Sequence, residues 1–242
     1  MKPYYEQDGI TIYHGDCLEV LPHCGSVDVV FTSPPYNKAR TANVGVLSKW
    51  KRMDVAEGYA SYSDDMPWVE YFEWQSTVLD ACWKVIQPSG AIFYNHKAGF
   101  DDGEYIHPLS WIKQTVRQVI IWSRPDAGIN FSPAFYRPTH ELIIVIAPKS
   151  WRLKSRGSSA PGDVWLASES KRSDHPAPFP TLLPEIAIET TGARSIIDPF
   201  MGSGTTLVAA KNLSRKAIGI EIEERYCEIA AKRLSQTVMD FA

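Results

Sequence analysis

The residues of this chain best suited to chemistry lie in two short stretches far apart in sequence. The first is Thr32-Ser33-Pro34-Pro35-Tyr36, directly after the apolar run Val27–Phe31. Each proline fixes its own φ, and Pro35 pushes Pro34 towards extended backbone, so the segment is stiff and cannot continue a strand. It offers a hydroxyl (Ser33), backbone carbonyls and an aromatic face (Tyr36) at a strand's carboxyl end, the edge where open α/β sheets bind ligands. Taken alone it reads equally as a Pro-rich turn with Tyr36 in packing.

The second stretch is Asp198-Pro199-Phe200-Met201-Gly202-Ser203-Gly204. Its glycines suit a backbone that turns tightly and approaches a ligand. The helix expected after it presents free N–H groups and a positive dipole end to a carboxylate or phosphate. Glu221 follows Asp198 by 23 positions and ends the next expected strand, where a carboxylate suits ribose hydroxyls. Together these features point to a ribose-containing cofactor. The spacing Gly202-x-Gly204 is followed by Leu207 where a dinucleotide fingerprint has its third glycine, so that fingerprint is incomplete.

Alternating and continuous apolar runs predict the elements that position these groups. Strands are expected at Ile10–Tyr13, Val27–Phe31, Ala91–Asn95, Val116–Trp122, Glu141–Ala147, Arg194–Asp198 and Lys216–Glu221. Helical segments are expected at Cys17–Leu21, from Met66-Pro67 to Ile86 with Asp65 near its N-cap, over roughly 104–115, and at Thr181–Thr191, Thr205–Leu213 and Glu223–Gln236. Pro88-Ser89-Gly90 is expected to stop the second helix, and Gly192 the fourth. The strands at 116–122 and 141–147 suggest an antiparallel hairpin at a sheet edge. Residues 37–65 and 148–180 read as loops, and long loops in a domain of this size are usually functional. The pattern is an α/β fold in one domain over 1–242.

The chain has 242 residues, 44% hydrophobic and 22% charged, which suits an ordinary soluble globular protein. No apolar run reaches membrane-spanning length, and the N-terminus has no signal-peptide pattern. Cys17, Cys24, Cys82 and Cys227 form no C-x-x-C pair; neither a zinc site nor a disulfide framework is indicated, and reduced cytoplasmic thiols are expected. The net charge is −3, yet basic residues cluster. Lys38, Arg40, Lys49, Lys51 and Arg52 form one run without an acid, and Lys149, Arg152, Lys154 and Arg156 a second. Two basic loops in a net-acidic chain point to a polyanion.

The two chemical stretches together resemble the motifs of S-adenosylmethionine-dependent DNA amino-methyltransferases. Asp198-Pro-Phe-Met-Gly-Ser-Gly-Thr-Thr206 resembles their cofactor-binding motif and Thr32-Ser-Pro-Pro-Tyr36 their catalytic motif. The catalytic motif comes first, the permuted order of the β class. His14-Gly-Asp16, Arg137-Pro-Thr-His-Glu141 and His175-Pro-Ala-Pro-Phe-Pro180 extend the resemblance along nearly the whole chain. It implies a Rossmann-like methyltransferase fold with a mixed, mostly parallel sheet and helices on both faces. By this resemblance Gly202, Ser203, Gly204 and Thr205 surround the methionine part of S-adenosylmethionine. Asp198 and Phe200 border its sulfonium and adenine, Glu221 binds the ribose and Asp16 the adenine amino group. Pro180 and Thr181 lie near its carboxylate end. Ser33 and the Pro34 carbonyl, in the stiff Pro34-Pro35 segment, accept hydrogen bonds from a target amine, and Tyr36 stacks on an extruded base. No metal is needed.

Ser at the head of the Pro-Pro-Tyr motif goes in this family with N4-cytosine, and Asp or Asn with N6-adenine; both targets stay open. Double-stranded DNA is the expected partner, contacted by loops 37–65 and 149–172 through Lys38, Arg40, Lys49, Lys51, Arg52, Arg152, Lys154 and Arg156. A homodimer and a cognate restriction endonuclease are further candidate partners. Methylation of RNA or of a protein glutamine is a second enzyme reading, but there the cofactor motif usually comes first. A dinucleotide oxidoreductase is disfavoured by the missing third glycine, and a non-catalytic DNA-binding module by the intact cofactor motif.

Overall fold

In the computed structural model, described for residues 1–37, 66–124, 136–154, 161–167 and 179–235, the strands form one nine-stranded sheet and one two-stranded ribbon. The central strands are β2 (Ile10–His14), β3 (Val27–Thr32), β4 (Ile86–His96), β10 (Ser195–Asp198) and β11 (Lys216–Glu221). They run parallel in the order β2-β11-β10-β3-β4. Such strands are covered on both faces, so they carry unbroken apolar runs rather than alternation. Val29, Val30, Ile196 and Ile197 are accordingly all fully buried.

Beyond β4 the sheet turns antiparallel through β8 (His140–Ile146) and β7 (Val116–Ser123). That is the hairpin expected from the sequence. It is not the last pair, because β9 (Val164–Leu166) adds to β7 in parallel. At the other edge β1 (Tyr5–Gln7) pairs with β2. Asp8 and Gly9, both with positive φ (52° and 79°), make the two-residue turn between them that matches strand twist.

Helices cover both faces. On one face lie α1 (Cys17–Val20) and α2 (Trp68–Val85), whose Val20, Leu79 and Cys82 pack against Ile92 and Ile197. On the other lie α3 (Leu182–Thr191), α4 (Thr205–Asn212) and α5 (Glu224–Ser235), whose Leu183, Leu207 and Ala230 pack against Val29, Phe93 and Ile196. α3 ends on Gly192, at φ 61°, where a left-handed residue closes the last turn.

Two expectations change. The segment expected as a helix over 104–115 is instead a hairpin, β5 (Gly99–Asp101) with β6 (Glu104–Ile106), followed by a 3-10 turn at Pro108–Trp111. Asp102 and Gly103, at φ 46° and 82°, form its turn, and Pro108 has no N–H for a longer helix. β4 begins at Ile86, earlier than expected. It pairs Val27 with Ile86 and Val29 with Ala91, so that 87–90 bulge out between them. A bulge tolerates Pro88. Gly90 is needed there because a Cβ would lie 2.7 Å from the Asp28 carbonyl.

The connections decide where a ligand can sit. From β10 the chain crosses through α4 to β11 on one side; from β3 it crosses through α2 to β4 on the other, over the opposite face. The strands β3 and β10 are neighbours. Chain direction therefore diverges between them, leaving a crevice at their carboxyl ends, the usual binding position of open α/β sheets.

Candidate active site

Both chemical stretches leave the sheet at this crevice, Ser33 after β3 and Pro199 after β10. Asp198 ties them together. Its Oδ1 accepts from the Thr32 hydroxyl at 2.9 Å and from the Phe200 N–H at 3.1 Å. Its Oδ2 accepts from the Thr206 hydroxyl at 2.6 Å. The side chain is fully buried, and desolvation raises its pKa to about 6 against the pull of these donors. Both of its oxygens are engaged inside the protein, so this carboxylate has a structural task besides the cofactor contact expected of it. It holds the residue before Ser33 against the first turn of α4, because a buried carboxylate must be hydrogen-bonded.

The Gly-rich turn is built against its neighbours. Gly204, at φ 82°, lies so close to α5 that a Cβ would stand 2.9 Å from the Ala230 Cβ. Arg233 donates to both the carbonyl and Oγ of Ser203, the latter at 2.9 Å. The Ser203 hydroxyl accepts one bond there and keeps its own proton to donate.

Glu221 ends β11 with its carboxylate folded back on this turn. Oε2 accepts from the Gly202 N–H at 2.9 Å, and Oε1 from the Glu223 N–H at 3.0 Å. Burial raises its pKa to about 7, against those two bonds. A carboxylate has roughly four lone-pair sites; two are used, so the group retains acceptor capacity for a diol. Asp16 stands beside it, since the Gly15 N–H donates to the Glu221 carbonyl at 2.9 Å. Asp16 also caps α1, accepting from the Leu18 N–H at 2.7 Å. Pro180 and Thr181 open α3, and the Phe179 ring before them meets Phe31 of β3 at 5.4 Å, which brings them to the same edge. Phe200 meets Trp74 of α2 edge-on at 5.7 Å.

The Ser33–Tyr36 segment is held from behind. The Pro35 carbonyl accepts from the Tyr71 hydroxyl at 2.7 Å and from Gln75 Nε2 at 3.3 Å. Tyr71 also meets His96 Nε2 at 2.6 Å, and Gln75 accepts from Tyr94 at 2.8 Å. Ser33 Oγ lies 2.5 Å from the Tyr36 hydroxyl, which contacts Asn95 Oδ1 at 2.9 Å and Glu141 Oε2 at 3.1 Å. Arg124 pairs with the other oxygen of Glu141. Asn37, at φ 56°, donates to the Met66 carbonyl at 2.8 Å and so joins the start of the long loop to its return.

Sequence reading missed Tyr71, Gln75, Asn95, His96 and Arg124 as parts of the site. Glu141 belongs to the Arg137–Glu141 motif without a role of its own there, although an acid opening the otherwise apolar Leu142–Ile146 is a usable signal. Of the basic residues, Lys38, Arg40, Lys49, Lys51, Arg52 and Arg156 lie outside the described residues, as does Asp65. Lys154 is placed away from the crevice: its ammonium donates to the Gly192 carbonyl at 3.2 Å, before β10 begins, at the opposite edge of the sheet. An amine at that helix end satisfies a terminal carbonyl. Arg152 donates to the carbonyls of Lys149 and Trp151 at 2.8 and 2.7 Å. Among the described residues no group of three His, Cys, Asp or Glu is arranged to hold a metal, and no helix is long and apolar enough to cross a membrane.

Comparison with known proteins gives the family. Residues 27–232 match the family model described as DNA methylase. The Type II methyltransferase M.ScaI of Streptomyces caespitosus is 31% identical over 277 residues, spanning 96% of this chain and 84% of that protein. M.BglII of Bacillus subtilis is 29% identical over 266 residues, spanning 93% and 68%. Among solved structures, the cytosine-N4-specific PvuII DNA methyltransferase has the same fold, with a TM-score of 0.73 at 21% identity over 100% of this chain and 91% of its own. The M1.HpyAVI–SAM complex has a TM-score of 0.63 at 23% identity, covering 93% of this chain and 99% of its own. With the Ser-Pro-Pro-Tyr segment preceding the Gly-rich turn, the chain belongs to the DNA methylase family as a β-class, S-adenosylmethionine-dependent amino-methyltransferase.

Proposed function

We propose that this enzyme methylates N4 of a cytosine extruded from double-stranded DNA at a specific site. The observation that carries the choice of cytosine is Ser33 at the head of the Pro-Pro-Tyr segment. Adenine N6, the other target of the family, is the outcome that would overturn it.

S-adenosylmethionine supplies, when bound, a methyl group on a positively charged sulfur. The backbone of Gly202, Ser203, Gly204 and Thr205 would hold its methionine part, with Pro180 and Thr181 at the carboxylate end. Glu221 would accept from the ribose, Asp16 from the adenine amine, and Phe200 would border the ring. The remaining work falls to the catalytic segment. An exocyclic amine is a poor nucleophile because its lone pair is delocalised into the ring. Ser33 Oγ and the Pro34 carbonyl would accept its two N–H bonds, favour a pyramidal nitrogen and aim the lone pair for in-line displacement. Orientation of this kind supplies a large part of the rate. Tyr71 and Gln75 occupy the Pro35 carbonyl and so keep the segment's backbone in place. Extruding the base costs about a few kcal/mol, offset by stacking on Tyr36, worth about 1–3 kcal/mol. Phosphate contacts from Lys38, Arg40, Lys49, Lys51 and Arg52 would add to this. A homodimer and a partner endonuclease complete the proposal, in keeping with the restriction-type relatives.

Expression in a methylation-free host, with single-molecule sequencing of its genome, tests target and site together. N4-methylcytosine at one sequence motif, lost in Ser33→Ala, is expected. N6-methyladenine would overturn the target, and an unmodified genome the activity.

A further inference from the structure

The Tyr36 phenol beside Ser33 faces two side-chain oxygens. Asn95 Nδ2 donates to the Leu142 carbonyl at 3.1 Å, and a carbonyl can only accept. The amide is therefore oriented with Oδ1 towards Tyr36. Glu141, ion-paired with Arg124 and 7% exposed, turns its Oε2 to the same phenol. Both groups accept, and the phenol has one proton, so that proton points inward. Burial, and next the Glu141 charge, push the Tyr36 pKa well above its ordinary value, which keeps the proton on. What the phenol oxygen offers Ser33, 2.5 Å away, is a lone pair. The Ser33 hydroxyl donates to it, and the lone pairs of Ser33 Oγ remain for the crevice.

We propose that Glu141, with Asn95 and Arg124, acts as a positioning residue that makes Ser33 an acceptor-only group and so selects a base bearing an exocyclic amine over one bearing a carbonyl at the same ring position. An amine brings two N–H donors to these lone pairs. A carbonyl brings a third set of lone pairs, with no donor between the two oxygens. The inference rests on the base-methylating activity above and adds the group that sets its selectivity.

Glu141→Gln tests it. Arg124 holds Oε1, so the new amide nitrogen takes the place of Oε2 and donates to the phenol oxygen in competition with Ser33. The Ser33 proton is released towards the crevice. The measurement uses the target duplex found by sequencing and the same duplex with that base deaminated, uracil for cytosine or hypoxanthine for adenine. Affinities of wild type and variant for both are measured with S-adenosylhomocysteine present. Easier extrusion of the mismatched base cancels, because the same DNA pair is used for both proteins. The amine-to-carbonyl affinity ratio is expected to fall about ten- to hundredfold in the variant, with cofactor affinity unchanged. A side chain that only supports the fold would weaken both duplexes equally; an unchanged ratio overturns the proposal. If Glu141→Gln does not fold, Tyr36→Phe removes the phenol oxygen and must lower the ratio in the same way. An unmodified host genome would instead sink the methylation reading, and this inference with it.

Discussion

Cofactor affinity should depend on pH through Glu221. Its carboxyl group is buried beside the Gly202 turn, and its pKa in the ligand-free chain is raised to about 7. A ribose diol donates hydrogen bonds, so it binds the ionised form. At pH 6 only about a tenth of the carboxyl groups are ionised, and at pH 8 about nine-tenths, by the ordinary titration relation. Affinity should therefore rise about tenfold from pH 6 to pH 8, equivalent to ~1.4 kcal/mol. At pH 6, binding should release nearly one proton per cofactor from this group. Isothermal titration calorimetry in buffers of different ionisation enthalpy counts that proton directly. The ligand's own α-amino group titrates near pH 8, so the diagnostic quantity is the difference between wild type and Glu221→Gln. The variant should bind more weakly at pH 8 and lose this part of the pH dependence. Equal proton release by both proteins at pH 6 would refute the assignment of Glu221 to the ribose.

Three further outcomes follow from the same geometry. The folded-state pKa values of Asp198 and Glu221 are raised to about 6 and about 7, so the folded chain binds more protons than the unfolded one between about pH 4 and 7. Ligand-free stability, measured by urea denaturation, should fall as pH rises through that window; a rise would contradict the burial of these carboxylates. Gly204→Ala forces a Cβ to 2.9 Å from the Ala230 Cβ at φ 82° and should cost about 1–3 kcal/mol, whereas an unmoved denaturation midpoint would argue against this packing. Charge reversal at Lys49, Lys51 and Arg52 should flatten the salt dependence of DNA affinity by about 0.9 in logarithmic slope for each lost phosphate contact. A slope equal to wild type would remove that loop from the interface.

The two chemical stretches were legible in the chain because what they need is local. Paired prolines stiffen a segment wherever it lies, and Gly202 and Gly204 mark a turn before a helix by their own conformational range. Apolar runs such as Val27–Phe31 likewise announce buried parallel strands without reference to partners. Local signals failed where two conformations competed. Residues 104–115 carry apolar residues compatible with a helix, but the Asp102-Gly103 turn and Pro108 favour a hairpin and a short 3-10 turn. The short strands β1 and β9 exist only because an edge was there to receive them.

Most of the support behind the Ser33–Tyr36 segment depended on distant partners. Tyr36 meets Asn95 and Glu141 across 59 and 105 residues, and Pro35 meets Tyr71 across 36. No spacing rule joins such pairs; the register of β4 against β8 does. Asp198 shows the division most plainly. From sequence it is an acid at a strand end, expected to border the cofactor's sulfonium and adenine. The pairing of β3 with β10 brought Thr32 to one of its oxygens and the turn into α4 brought Thr206 to the other, so the fully buried carboxylate ties the two stretches together. The amino-acid sequence by itself determined which two stretches are the candidates for the chemistry. Only the tertiary structure decided which way their protons point, because hydrogen-bond direction depends on partners that the chain brings together from afar.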